Sequence, residues 1–113
     1  MNFKYIDISM LENLYDDRPD RLKEIAGKYS ENISLLLEKL QTALKNQDQS
    51  AQRNAAHSLK TAFKYLGMED QSETALKIEK MAESEQGDIH KPVEEILSVW
   101  EKAKAEVENF VKK

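Results

Sequence analysis

The amino-acid sequence predicts an all-α fold, an antiparallel four-helix bundle with a short additional N-terminal helix. Three observations carry that expectation. Apolar residues recur at helical spacing almost everywhere, and no stretch alternates with the two-residue period of a strand. Only three Gly and two Pro interrupt the 113 residues, so the regular elements should be long. The breaks that do occur divide most of the chain into four long amphipathic segments with short connections.

The first segment holds Ile6, Ile8, Leu11, Leu14 and Tyr15, enough for one or two helical turns acting as a lid. "DDRPD" then starts a helix: Asp17 can cap it, Pro19 has the φ a first turn tolerates, and Asp20 favours the positive dipole end. Leu22, Ile25, Ala26, Tyr29, Ile33, Leu36, Leu37, Leu40 and Leu44 form its stripe. The helix should end near Lys45, where "KNQDQS" breaks the pattern and offers Asp48 as the next cap. A third helix is expected from about Gln49 to Leu66, with Gly67 at the left-handed position that terminates helices. A fourth runs from about Glu69 to Ser84 with Ala75, Ile78 and Ala82 inward. "ESEQGDIHKP" is the one evident loop; it contains Gly87 and His90 and ends at Pro92, which suits a first helical turn. The last helix presents Val93, Ile96, Leu97, Trp100, Val107, Phe110 and Val111, with Lys112 and Lys113 at the negative dipole end. Residues 1–113 are expected to form a single domain, since a chain of this length suits one ordinary core.

Composition narrows the function classes. There is no Cys, which removes disulfides, thiolate metal sites and cysteine nucleophiles, and a reducing cytoplasm is compatible with that. No apolar run approaches a membrane span and no signal-peptide pattern follows Met1, so a cytoplasmic location is expected. A net charge of −4 argues against nucleic acid as the main partner, because phosphate backbones select basic surfaces. No Gly-rich phosphate loop is present, which argues against a kinase. A metal site in a bundle core wants Glu-x-x-His pairs, whereas His57 is preceded at that spacing by Asn54 and His90 by Gly87.

His57 is the residue that stands out. Counting about 100° per residue from Ala51 places Ala62, Ala55, Leu66, Leu59 and Phe63 between roughly 20° and 120°, the stripe that faces the core. His57 falls near roughly 240°, with Arg53, Lys64, Lys60 and Thr61 between roughly 180° and 280°. It therefore stands at the middle of the polar face among three cations. Cations disfavour a neighbouring imidazolium, which leaves a neutral nucleophile, and they would also stabilise a dianionic phosphate placed on it. His90, in the loop before Pro92, is expected to be an ordinary solvated residue.

"AHSLKTAFKYLG" resembles the signature of the histidine-containing phosphotransfer (HPt) domains of phosphorelays. That family's pattern is Ala-His-x-Leu-Lys-Gly with a further Gly ten residues after the His. Ala56, His57, Leu59, Lys60 and Gly67 fit it in spacing and identity, and the order of expected helices is similar over essentially the whole chain. The resemblance implies that His57 is the phosphoacceptor, that Lys60 helps stabilise the phosphoryl group and that Gly67 closes the helix. The family often places Gln or Glu on the next helix after an aliphatic residue, within reach of the imidazole; "KIEKM" puts Glu79 there. No family role attaches to Arg53 or Lys64; with Thr61 they are expected to face the phosphate or the partner because they share the surface of His57. One position departs: Thr61 stands where the family has a Gly four residues after the His, a small residue that leaves room for an incoming receiver domain.

Two readings follow. In the first the protein is a monomeric phosphoryl carrier without an ATP site, taking phosphate from a receiver-domain aspartate and passing it to another receiver. Its partners would be response-regulator receivers, those of hybrid histidine kinases included; it would need no cofactor, with Mg²⁺ held by the receiver alone. In the second it is a helical adaptor that binds receivers without carrying phosphate. Thr61 favours the adaptor; the cations around an exposed His57 favour the carrier.

Overall fold

Each long apolar stripe of the sequence lies on a helix in the structure, a computed structural model that describes residues 3–15, 18–85 and 87–112. The helices are α1 (Ser9–Tyr15), α2 (Pro19–Lys45), α3 (Gln49–Tyr65), α4 (Glu69–Ser84) and α5 (His90–Lys112). No strand occurs among the described residues. α2 packs against α3 and α5, and α4 closes the ring by packing against the same two, so the four long helices form the expected bundle. The short α1 lies on α2 and sends Leu11 wholly into the core.

The core forms where the stripes meet. Ile33, Leu40, Leu59, Phe63, Ile78 and Ile96 are fully or almost fully buried, drawn from all four long helices. Trp100 packs edge-on against Phe63, with ring centroids 6.2 Å apart. Its indole N–H donates to the Ser34 hydroxyl at 3.2 Å, which gives the ring's one polar atom a partner. No helix among the described residues is long and apolar enough to cross a membrane.

The turns between helices follow the sequence closely, with two differences. Asp48 caps α3 as expected, its carboxylate accepting from the Ala51 N–H at 3.1 Å. Gly67 ends the same helix at φ 70°, while Met68 N–H returns to the Phe63 carbonyl at 2.9 Å, the pattern of a left-handed helix stop. The expected cap of α2, Asp17, lies outside the described residues; Arg18 holds the capping position and makes no side-chain cap bond. The second difference is His90, which begins α5 instead of sitting in the loop before it. The helix starts two residues before Pro92 because the Asp88 carboxylate takes the His90 N–H at 2.9 Å, satisfying an amide the first turn leaves free.

A non-helical strap, residues 3–8, bends at Lys4 and Tyr5 and lies at the end of the bundle that holds Gly67. Asp7 N–H donates to the Leu66 carbonyl at 2.8 Å. The strap's next three amides converge on one side chain: Glu106 of α5 takes Lys4 N–H at 2.8 Å on Oε2, and Tyr5 and Ile6 N–H at 2.8 and 3.1 Å on Oε1. Nothing in the periodicity of α5 announces this, because a polar residue on a helix rim reads as solvated.

Candidate functional site

α3 runs from residue 49 to 65, so His57 stands at its midpoint, with its backbone locked into the helix on both sides. Ala55, Ala56 and Leu59 turn inward and are buried, which obliges the side chain of His57 to point outward, where it is 62% exposed. One edge of the imidazole is nevertheless anchored. Nδ1 lies 2.8 Å from Oε2 of Glu79, reached across from α4.

Glu79 is buried, not the exposed helix glutamate its setting in "KIEKM" could equally suggest. Ile78 and Ala82 bury the face of α4 next to it, and packing of α4 on α3 draws the carboxylate into the seam between the helices. An ionised carboxylate only accepts hydrogen bonds, so the imidazole donates from Nδ1. In the neutral ring the lone pair then belongs to Nε2, on the ring edge away from Glu79. The other carboxylate oxygen lies 3.8 Å from Nζ of Lys60, one turn beyond His57 on α3. His57, Lys60 and Glu79, named separately from the sequence, thus form one contiguous set: a ring nitrogen outward, a carboxylate behind the ring, and an ammonium beside that carboxylate.

The ring of three cations expected around the imidazole requires correction. The charged group in contact with His57 is an anion. Lys60 is directed to that same anion, and Arg53 approaches Glu83 of α4 at 3.9 Å, both side chains about half exposed. Lys64 is exposed and makes no ion pair among the described residues. Wheel geometry places side chains around one helix axis and is blind to the acids that a neighbouring helix contributes. The half-exposed Arg53–Glu83 pair is weak, and the long flexible lysine stem lets the Lys60 ammonium reach an anion seated on the imidazole. Thr61 is exposed one turn from His57 on the same face, where the sequence puts it.

His90 has a different setting. Its Nδ1 lies 2.7 Å from Asp88, two residues away, and both side chains are more than two thirds exposed. It is a local pair on the first turn of α5, solvated as expected though helical. Ser72 of α4 is a further polar residue, unanticipated from the sequence; it is buried and donates its hydroxyl to the Lys60 carbonyl at 2.8 Å. Its place seven residues before Glu79, on the same face of α4, is the signal that could have singled it out.

Fold and site together define a class: small helical bundles that display one histidine on a polar helix face, with its second nitrogen held by a carboxylate of the next helix. The model of the Hpt domain family matches residues 9–110, and the chain belongs to that family, whose members are phosphotransfer carriers. The crystal structure of histidine-containing phosphotransfer protein B (HptB) from Pseudomonas aeruginosa PAO1 is similar, with a TM-score of 0.87 and 18% sequence identity over 98% of this chain and 97% of that one. At that identity the likeness speaks for the fold. No curated protein sequence matches the chain.

Proposed function

We propose that the protein is a phosphoryl carrier in a two-component phosphorelay, with His57 as the acceptor, and that it works in the cytoplasm on receiver domains. The observation that carries this reading is the 2.8 Å contact between Nδ1 and a buried carboxylate, on an imidazole that is otherwise open to solvent. Membership in the family supports it.

The chemistry follows from that contact. Nε2 attacks the phosphorus of a receiver's aspartyl phosphate in line; the N–P bond forms as the P–O bond to the aspartate breaks, and the carboxylate departs. The ring keeps its proton on Nδ1 and becomes cationic, and Glu79 faces the charge that develops there. Lys60 meets the phosphoryl oxygens. Phosphoryl transfer depends on alignment and charge stabilisation more than on further covalent help, so a carrier of this kind needs little else. Mg²⁺ stays with the receiver's carboxylates. The return step is the same path reversed, toward a second receiver.

The adaptor reading keeps one observation in its favour, the exposed Thr61 where a receiver must approach. Incubation with a panel of phosphorylated receivers separates the two. A carrier acquires acid-labile, alkali-stable phosphate on His57; an adaptor binds receivers and acquires none.

A further inference from the structure

Besides the Arg53–Glu83 and Lys60–Glu79 ion pairs, hydrogen bonds join α3 to α4 at three places, and the one at His57 is the middle one. At the start of α3, Gln49 Nε2 donates to the Ala82 carbonyl. At its centre, His57 Nδ1 meets Glu79 at 2.8 Å. Farther along, Ser72 Oγ of α4 donates to the Lys60 carbonyl at 2.8 Å.

Ser72 is the residue whose presence ordinary helix chemistry does not explain. It is only 6% exposed, so it is no solvated surface residue. Serine forms helices less readily than alanine, and inside a helix its hydroxyl commonly turns back to a carbonyl of its own helix. Here the Ser72 N–H makes the regular bond to Met68 at 2.9 Å, while the hydroxyl crosses to the neighbouring helix. The residue it grips is Lys60, whose ammonium lies 3.8 Å from Glu79. Lys60 is thus tied to α4 through its backbone and also through its side chain.

The two kinds of link differ in stiffness. A serine hydroxyl hangs on a single side-chain torsion and the carbonyl it meets has none, so this bond resists sliding of α4 along α3. The His57–Glu79 contact cannot do the same, because glutamate has three torsions and the imidazole is mostly in solvent. Ser72 and Glu79, seven residues apart, lie two turns apart on one face of α4, so a shift allowed at the first is felt at the second.

We infer that Ser72 is a positioning residue for phosphoryl acceptance: its bond to the Lys60 carbonyl holds the register of α4 on α3 that keeps Glu79 against Nδ1 and leaves Nε2 free to react. This rests on His57 being the acceptor, as proposed above. Ser72→Ala removes only the hydroxyl, fits the same space and raises helix propensity, so the variant folds.

Long-range ¹H–¹⁵N spectra of the imidazole in alkaline buffer read the tautomer with no phosphate present. The wild type is expected in the Nδ1–H form, and Ser72→Ala is expected to lose that dominance to the Nε2–H form. Acceptance from phosphoramidate, in which the Nε2–P bond forms as the P–N bond to ammonia breaks, should fall by roughly three- to tenfold, less than the hundredfold an ångström of misplacement can cost. In a Glu79→Gln background the same change should add nothing, since its effect passes through Glu79. An unchanged tautomer population in Ser72→Ala, or an equal fold-loss with and without the Glu79 carboxylate, overturns the inference. A wild-type chain that takes no phosphate refutes the carrier reading instead, and the spectra still decide the role of Ser72.

Discussion

At the scale of single residues, the two histidines differ in what holds them. His57 is braced from a neighbouring helix by a buried acid, and His90 touches only an exposed aspartate two positions away. Replacement of His57 by Gln is therefore expected to abolish phosphate incorporation, while His90→Gln incorporates it like the wild type. Both side chains are exposed, so far-UV circular dichroism should be the same for all three proteins. Equal labelling of the wild type and His57→Gln would end the carrier reading. Thr61 supplies a second prediction. Any receiver reaching Nε2 passes its side chain, so if bulk is the obstacle Thr61→Ala and Thr61→Gly should transfer faster, in that order. Gly within a helix should also lower stability by about 0.5–1 kcal/mol relative to Ala. Stopped-flow transfer from one phosphorylated receiver distinguishes the cases, and slower transfer in both variants would instead assign the Thr61 hydroxyl to the phosphate. His57, Lys60 and Thr61 are legible in the sequence because they share one helix, where spacing alone fixes the face. Glu79 is reached only through the family resemblance, and the acids that redirect Lys60 and Arg53 come from a helix whose rotation the sequence leaves open.

At the scale of elements, helix ends carry the sharpest consequences. Gly67 adopts a φ of 70°, and a Cβ there would lie 2.5 Å from the Asp7 carbonyl oxygen and 2.9 Å from its Cα. The position therefore closes α3 and also admits the strap. Gly67→Ala must accept a left-handed backbone and displace Asp7, at an expected total of about 2–4 kcal/mol, read as a lower urea midpoint with an unchanged slope. Two carboxylates at helix starts titrate unusually. The Ser9 hydroxyl and then its N–H hold Asp7 below the ordinary value of 3.8. The His90 N–H and then its side chain do the same for Asp88. A depressed carboxyl stabilises the fold above its unfolded pKa and loses that contribution as pH falls through the folded one. Both helix starts should thus hold from neutral pH to 3.8 and loosen below it. Carboxyl ¹³C titrations should show both midpoints below 3.8, with Ser9→Ala raising that of Asp7 alone. The ends of α3 are legible because Asp48 and Gly67 punctuate them with distinctive residues. The start of α5 is less so: Pro92 marks a first turn without saying which residue begins it, and Asp88 decides that by a hydrogen bond.

At the scale of the whole molecule, the stripes of α2 to α5 are sufficient to read a bundle, since each needs the others to cover it. The strap is less legible: Ile6 is buried and Phe3 packs on Phe110, but its polar hold comes from backbone amides, which every sequence has, on a glutamate that looks solvated. Glu106→Ala should strand three amides and cost about 1–2 kcal/mol, part of the loss being made good by water. Limited proteolysis should then cut within residues 3–8 before any cleavage in α2 to α5; equal resistance in variant and wild type would show that the Asp7–Leu66 bond and the packing of Phe3 and Ile6 hold the strap without Glu106. The strap's bonds to Glu106 also span 100 to 102 positions of the chain. On the ribosome those amides emerge 100 to 102 residues ahead of their acceptor, so over that interval the bonds to Glu106 cannot form. Once α3 is made the segment can reach the Leu66 carbonyl through Asp7, but Lys4, Tyr5 and Ile6 wait for Glu106, and the emergence of α5 completes the hold. Any partner or processing enzyme that reads the segment has its opportunity during translation, and loses it when the last helix docks.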